Sequence, residues 1–274
     1  LCRSKYVQSN TIDVYKTIRE QLRNGQKVLF TGTPCQVSGL SRFVGEKLSA
    51  NLYLVDIICH GVPSPKVWNE YIRELCVYNQ ETVNNVSSIA FKYKDDVRKW
   101  NHPGFRVTWN SGREFVDFSN NTWYENGYLG NLFVRLSCHS CSFKDLRSPS
   151  DLTIGDFWGC SDVLPDIFDE NGVSVVLSKT EKGNQLITKI KNKIEYMPIS
   201  SDIAVKHNAR IIKSAPPSRN RSKFWKSFEK MEKKTIDKMN RIVDQYTRKT
   251  FVERIINYML RIKRTLWRNY GKNK

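Results

Sequence analysis

Two short apolar segments, each followed at once by a turn and then by a helical pattern, constrain the fold of this chain most strongly. Residues 27–31 (KVLFT) lead into a turn at residues 32–35, and residues 52–58 lead into a turn at residues 59–61. The order strand, helix, strand, helix predicts neighbouring parallel strands, because parallel strands need a long crossover that is usually helical. Both turns then lie at the carboxyl edge of one sheet, where ligands commonly bind in open α/β folds.

The rest of the chain adds antiparallel strands and helices to this beginning. Apolar alternation and periodicity predict strands at 88–93, 105–109, 114–118 and 173–178, a strand beginning at Leu152, and helices at 11–24, 36–48, 66–78, 122–134 and 183–193. The sequence therefore predicts an α/β fold with a mixed sheet, flanking helices and a basic helical C-terminal extension. Pro216-Pro217 marks the expected boundary between a domain at 1–215 and the extension at 216–274.

The positive charge is concentrated in that extension. The chain has a formal net charge of +18, and residues 211–274 hold 19 of its 45 Lys and Arg residues but only 5 of its 27 Asp and Glu residues. Within 251–267, apolar residues recur at helical spacing among arginines and lysines, which is typical of a helix that lies on an anionic membrane surface. A helix packed on the protein with a solvated basic face is the alternative. Nucleic acid is the less favoured partner, since no recognised motif accompanies the charge.

The cysteines are spaced for metal binding rather than for disulfides. Neither a secretory leader nor an apolar run of about 18 residues is evident, which favours a cytoplasmic location, with the tail offering attachment at the inner face of the membrane. Spaced cysteines in a reducing compartment bind metal more often than they pair. Cys35, Cys59, Cys138 and Cys141 have the spacing C-x23-C-x78-C-x2-C.

That spacing alone leaves three interpretations open: an iron–sulfur cluster, a structural zinc ion and unrelated buried thiols. Of the other cysteines, Cys76 lies on an apolar helix stripe and is expected in the core. Cys160 is a weak substitute ligand, and Cys2 carries no signal. His60 and His139 adjoin the proposed ligands, where they could hydrogen-bond to a cluster or occupy ordinary turns.

Five segments together resemble a known family. They are 4–9 (SKYVQS), 30–36 (FTGTPCQ), 56–64 (DIICHGVPS), 135–141 (RLSCHSC) and 147–159 (RSPSDLTIGDFWG). In this order they are similar to the coenzyme F420 hydrogenase/dehydrogenase beta-subunit family, in its bacterial branch associated with polysaccharide biosynthesis. The resemblance covers about residues 4–215.

The resemblance implies an iron–sulfur flavoprotein oxidoreductase. Cys35, Cys59, Cys138 and Cys141 would ligate one [4Fe-4S] cluster, which would exchange electrons with FAD or a deazaflavin such as coenzyme F420. Relatives commonly begin with a ferredoxin-like module that this chain lacks, so a separate ferredoxin or ferredoxin-like protein is the expected electron donor. No catalytic residue is assigned.

The resemblance also implies a set of flavin-binding residues at three places in the chain. The proposed contacts are Lys5, Gly32, Thr33, Pro34, Gln36, Gly155, Asp156 and Phe157. Each has a plainer interpretation: Lys5 as a solvated side chain, the turn at 32–34 as a tight turn that presents Cys35, and Phe157 as a core residue.

Two other functions remain open from the residues. One is a non-catalytic metal-bearing scaffold associated with cell-surface polysaccharide biosynthesis. The other is a zinc-stabilised domain. Flavin binding separates the oxidoreductase from the scaffold, and metal analysis separates both from the zinc domain.

Overall fold

The computed structural model describes residues 6–95, 103–118 and 122–248, and its strands form two sheets. In chain order the strands are β1 (Val28–Gly32), β2 (Leu52–Ile57), β3 (Val86–Tyr93), β4 (Gly104–Trp109), β5 (Glu114–Asp117), β6 (Leu152–Asp156) and β7 (Ser174–Ser178). The helices are α1 (Ile12–Arg23), α2 (Pro34–Val44), α3 (Pro65–Tyr78), α4 (Trp123–Leu129), α5 (Cys160–Val163), α6 (Glu181–Ile190), α7 (Ser201–His207), α8 (Arg221–Lys230) and α9 (Ile236–Thr247).

The first sheet is mixed, as the sequence predicts. Its strand order is β1-β2-β6-β7, in which β1, β2 and β6 are parallel and β7 is antiparallel to β6. Helices α1 and α2 pack on this sheet through a core cluster that includes Ile18, Leu22, Val37 and Leu40. Because β1 and β2 are adjacent and parallel, the turns that follow them emerge at the same edge.

The second sheet is antiparallel, with the order β3-β4-β5. Beside it lies the largest core cluster, which draws on α3, α4, α8 and α9. Tyr71 and Tyr124 stack with ring centroids 5.2 Å apart, and Trp109 is 1% exposed. The aromatic residues of the sequence thus fill this core.

Three predicted helical segments differ from the structure. The helix expected at 36–48 ends at Val44, where Gly45 stops it, and a 3-10 helix follows at Glu46–Asn51. The helix expected at 122–134 ends at Leu129, because the following chain turns and enters the core at Leu132 and Phe133. The expected helical extension contains α8 and α9 with a break between them, and the segment at 251–267 lies outside the described residues.

Helices α8 and α9 pack into the largest core cluster. Phe224, Phe228, Met239 and Val243 are each at most 1% exposed, and the rings of Phe133 and Phe224 lie 5.5 Å apart. These contacts attach the residues after Pro216-Pro217 to the body. The domain boundary at that point stays a prediction.

A buried carboxylate joins the mixed sheet to α6. Asp151 is 2% exposed and accepts hydrogen bonds from the backbone N–H of Leu54 at 2.8 Å and from the Thr180 hydroxyl at 2.6 Å. Thr180 also caps α6 by accepting from the N–H of Gly183 at 3.1 Å. A buried charge is tolerated when it is hydrogen-bonded in this way.

Among the described helices, none combines the length and the apolar character that a bilayer crossing requires.

The substitution Phe224→Ala should lower the free energy of unfolding by about 3–5 kcal/mol, since it removes a fully buried ring. Chemical denaturation followed by tryptophan fluorescence measures the change. Tyr78→Ala is the control, because Tyr78 is 69% exposed and its loss should change stability by less than about 0.5 kcal/mol. If the denaturation curve shows two unfolding transitions and the substitution destabilises only one of them, residues 216–248 unfold as a separate unit.

Candidate metal centre

The first two proposed ligands lie where adjacent parallel strands end. Cys35 is in the first turn of α2, just after β1, and Cys59 follows β2. The register pairs Gly32 with Asp56, so the two strands end at the same level of the sheet. The structure therefore confirms that both turns share one edge.

A second loop meets the Cys59 turn along its backbone. The N–H of Ser64 donates to the Phe133 carbonyl at 2.9 Å, and the N–H of Arg135 donates to the Val62 carbonyl at 2.7 Å. The N–H of Val62 points to the Cys138 Sγ at 3.4 Å. These contacts bring the pair Cys138 and Cys141 to the edge that already carries Cys35 and Cys59.

Gly61 is required for this approach. Its φ of +149° is disfavoured for residues with a side chain, and an added Cβ would lie 2.7 Å from Cγ1 of Val134 and 3.3 Å from Cβ of Cys138. Glycine therefore lets the Cys59 turn lie directly against the loop that carries Cys138.

A third segment, residues 210–215, supports the other side of the Cys138–Cys141 loop. Nδ1 of His139 donates to the Ala215 carbonyl at 2.8 Å, and the N–H of Cys141 donates to Oγ of Ser214 at 3.0 Å. The N–H of Asp145 donates to the Ile211 carbonyl at 2.9 Å. The positions of the thiols are thus set by three separate stretches of chain.

The four thiols form one electrostatic group. Burial raises the pKa of Cys59 to about 11; the positive charge of Lys144 opposes this shift, and negative charge on Cys35 and Cys138 adds to it. Burial also raises the pKa of Cys138, and negative charge on Cys35 and Cys141 contributes. In the metal-free protein the site therefore favours protonated thiols at Cys59 and Cys138, and metal binding there must release protons.

Four cysteine thiolates are the usual ligand set of a [4Fe-4S] cluster. Within residues 6–95, 103–118 and 122–248, no group of three or more His, Cys, Asp or Glu side chains converges closely enough to hold a single metal ion. A [4Fe-4S] cluster binds each thiolate to a different iron, so its ligands surround the cluster and need not meet at one point. Four half-buried thiols on three neighbouring loops fit that requirement.

The histidines next to these ligands have protein partners. Nε2 of His60 donates to Oδ1 of Asn131 at 2.8 Å, and burial lowers the pKa of His60. His139 uses Nδ1 for the Ala215 carbonyl, while its Nε2 is buried and contacts no hydrogen-bond partner in the described part of the chain.

The remaining described cysteines lie in the core. Cys76 is 2% exposed and accepts from Nε1 of Trp109 at 3.4 Å, which confirms the expectation from its helical position. Cys160 is 3% exposed and packs with Phe157, Val175 and Ala204. Cys2 lies outside the described residues.

In the predicted flavin-binding turn after β1, several polar groups already hydrogen-bond to other groups of the protein. Oε1 of Gln36 accepts from the N–H of Thr33 at 3.1 Å and from its hydroxyl at 3.0 Å, and Nε2 of Gln36 donates to the Ser9 carbonyl at 3.0 Å. The Thr33 hydroxyl also lies 3.2 Å from the Cys35 Sγ. Thr33, Pro34 and Gln36 thus begin α2 and present Cys35, while a flavin contact by Gly32 and these residues stays a prediction.

The turn after β6 presents a different ring from the one proposed. The Phe157 ring is 3% exposed and lies in the core, whereas Asp156 is exposed and Trp158 is 51% exposed. A Cβ on Gly155 would come within 2.7 Å of the Ile58 side chain, so this glycine is explained by close packing against the Cys59 turn. Lys5 lies outside the described residues. Cofactor binding by Lys5, Gly155, Asp156 and Phe157 stays a prediction.

Sequence reasoning missed several residues that hold the Cys59 turn. The Tyr128 hydroxyl donates to the Gly61 carbonyl at 2.8 Å, and Nζ of Lys144 donates to the Cys59 carbonyl. Asp56 is 1% exposed and accepts from the hydroxyls of Ser148 and Thr153. Their contacts span sequence separations of 67 to 97 residues, so local patterns carry no signal for them.

A pocket opens beside Cys59, between the strand ends and the segments at 143–148 and 210–211. Its empty space is about 280 Å³, counting the part open to solvent. Lys144 and Arg210 contribute cationic side chains to its lining, and Asp56 contributes a carboxylate.

A comparison with protein-family models gives a match over residues 25–202. The matching family is described as the C terminus of the coenzyme F420 hydrogenase/dehydrogenase beta subunit. The matched range contains all four candidate ligands and both predicted flavin-binding turns.

Among solved structures, one similar chain belongs to the F420-reducing [NiFe] hydrogenase complex from Methanosarcina barkeri, studied as a xenon derivative. The two chains share 15% sequence identity with a TM-score of 0.44, and the similarity covers 85% of this chain and 72% of the other. A search of curated proteins finds no match.

Alkylation of Cys59 in the metal-free folded protein should rise roughly tenfold for each pH unit and level off only near its pKa of about 11, because the thiolate is the nucleophile. In the unfolded chain the thiol ionises near 9.0, so ionisation of Cys59 favours unfolding as the pH rises from there towards 11. Mass spectrometry after timed iodoacetamide pulses measures the rate. The urea-unfolded protein is the control, and the same levelling pH in both states would contradict the effect of burial.

Proposed function

We propose that this protein is an iron–sulfur flavoprotein oxidoreductase. The chain belongs to the coenzyme F420 hydrogenase/dehydrogenase beta-subunit family and matches its C-terminal part. It would relay electrons between a [4Fe-4S] cluster and a flavin or deazaflavin acceptor. The observation that carries this proposal is the gathering of four half-buried thiols, from three loops, into one electrostatic group at the carboxyl edge of the mixed sheet.

Cys35, Cys59, Cys138 and Cys141 would hold the cluster. Their loops are held together by backbone contacts between 62–64 and 133–135 and by contacts between 139–145 and 210–215. A site whose loops are held in this way loses little conformational entropy when the cluster binds. Partial burial limits access of water to the thiolates, which is one of the factors that set a cluster's reduction potential.

FAD would lie over the turns that follow β1 and β6. These strands flank β2, so their ends lie about 10 Å apart on either side of the end of β2. The turn at residues 32–34 would face the phosphates, because the N-terminus of α2 favours negative charge. Asp156 and the exposed ring of Trp158 would lie on the other side.

A [4Fe-4S] cluster held by the four cysteines would supply single-electron transfer, and a bound flavin would supply two-electron chemistry towards the acceptor. The residues of this chain contribute binding and orientation. Asn131 holds the His60 ring, and Tyr128 holds the carbonyl of Gly61, so the Cys59 turn keeps one conformation. Coenzyme F420 remains a candidate acceptor because of the family to which the chain belongs.

The electron donor would be a separate ferredoxin or ferredoxin-like protein, and the basic tail would contact an anionic membrane surface. Both partners are proposed from the sequence. The tail segment at 251–267, which would contact the membrane, lies outside the described residues. Nucleic acid remains the less favoured partner.

Anaerobically purified protein should contain about four iron and four sulfide per chain together with bound FAD, because that is the composition of the proposed cluster and flavin. Alanine at Cys35, Cys59, Cys138 or Cys141 should each reduce the iron content by more than about half, since a cluster that loses one of four thiolates is held poorly. Metal and sulfide analysis with a visible spectrum measures this.

Cys160→Ala is the matched control, because Cys160 is a described cysteine whose side chain packs in the core with Phe157, Val175 and Ala204. It should keep the iron content of the wild type. Iron without flavin, even after reconstitution, would favour the metal-bearing scaffold associated with polysaccharide biosynthesis. Stoichiometric zinc would overturn the redox function and favour a zinc-stabilised domain.

A further inference from the structure

Lys144 places a half-buried ammonium group between two of the segments that form the metal centre. Its Nζ donates to the Cys59 carbonyl and to the Arg210 carbonyl, the latter at 2.6 Å. The side chain lines the pocket beside Cys59. It therefore reaches from the loop that follows Cys141 to the turn that carries Cys59.

This ammonium group is not neutralised by a carboxylate in the described ranges. Its Nζ donates to two carbonyl oxygens, and the negative groups that act on it are the thiols of Cys59, Cys141 and Cys138 when they are ionised. A half-buried cation without an anionic partner is costly. Among the described residues, a cluster ligated by these thiolates would supply the balancing negative charge.

A second half-buried lysine on the neighbouring loop shows the contrast. Nζ of Lys179 donates to the carbonyls of Leu146 and Ser148, and the negative groups acting on it are Asp56 and Asp151. Lys179 thus has carboxylates as counter-charges. Lys144 differs because its counter-charges are the candidate metal ligands.

We propose that Lys144 is the counter-charge of the iron–sulfur cluster and raises its reduction potential; this inference rests on the proposed function. Reduction adds one negative charge to a cluster that already carries four thiolates. A fixed positive charge nearby stabilises the reduced state more than the oxidised one, by a Coulomb energy that increases at low dielectric. Lys144 acts through the cluster and is therefore a positioning residue.

The test is a redox titration of the cluster in the purified holoprotein, followed by electron paramagnetic resonance. Lys144→Met and Lys144→Gln should shift the equilibrium towards the oxidised cluster by at least about tenfold, which is a midpoint lower by about 59 mV for one electron. Glutamine still donates a hydrogen bond, so it separates loss of charge from loss of that contact. Lys144→Arg keeps the charge and should keep most of the midpoint.

Lys182→Met is the matched control. Nζ of Lys182 also donates to two backbone carbonyls, those of Ser49 and Leu52, but it lies at the start of β2 whereas Cys59 follows the end of that strand. Six residues of strand separate the two positions by about 20 Å, beyond the screening length of about 10 Å at ordinary salt. Its midpoint should match the wild type.

The outcomes separate this inference from the proposed function. Wild-type protein without iron after reconstitution would refute the function itself. An unchanged midpoint in Lys144→Gln, or an equal shift in Lys182→Met, would overturn the role of Lys144 alone. If the methionine and glutamine variants lose iron, retention of iron by Lys144→Arg supports the counter-charge, and equal loss in that variant overturns it.

Discussion

The contact between the turn after β2 and the chain at 133–138 is the constraint on which the rest of the site depends. It consists of backbone hydrogen bonds between 62–64 and 133–135, and it is possible only because Gly61 lacks a side chain. The same contact joins two hydrophobic cores, since Leu132, Phe133 and Val134 belong to the aromatic cluster while β2 belongs to the mixed sheet. The candidate metal centre therefore lies at the junction of the two sheets.

Among the described residues, the negative groups that act on the Lys144 ammonium are cysteine thiolates. Lys144 is held by carbonyl oxygens, and the charges that act favourably on it are those of the cysteines. Burial keeps Cys59 protonated in the metal-free protein. Binding of a metal–thiolate cluster at Cys59 would therefore release a proton, and it would place negative charge next to the Lys144 ammonium.

The sequence predicted much of the fold because its local patterns agree with its tertiary structure. Apolar runs and turns in the sequence predicted the parallel pair β1 and β2, the helix between them and the antiparallel strands β3, β4 and β5. The prediction was wrong about the length of the helix at 122–134. In that segment Tyr124, Tyr128 and Leu132 keep helical spacing, yet the helix ends at Leu129, because the packing of Leu132 and Phe133 in the core determines the backbone there.

The sequence by itself determined which residues could bind metal and that Cys35 and Cys59 share a sheet edge, because strand direction follows from the order of local elements. Only the tertiary structure decided that Cys138 and Cys141 lie at that edge, that Trp158 rather than Phe157 is exposed, and that Lys144 contacts the Cys59 turn. Those facts depend on contacts between residues far apart in the chain. Such contacts are selected by the packing of the whole core, and they leave no periodic signal in any local window of sequence.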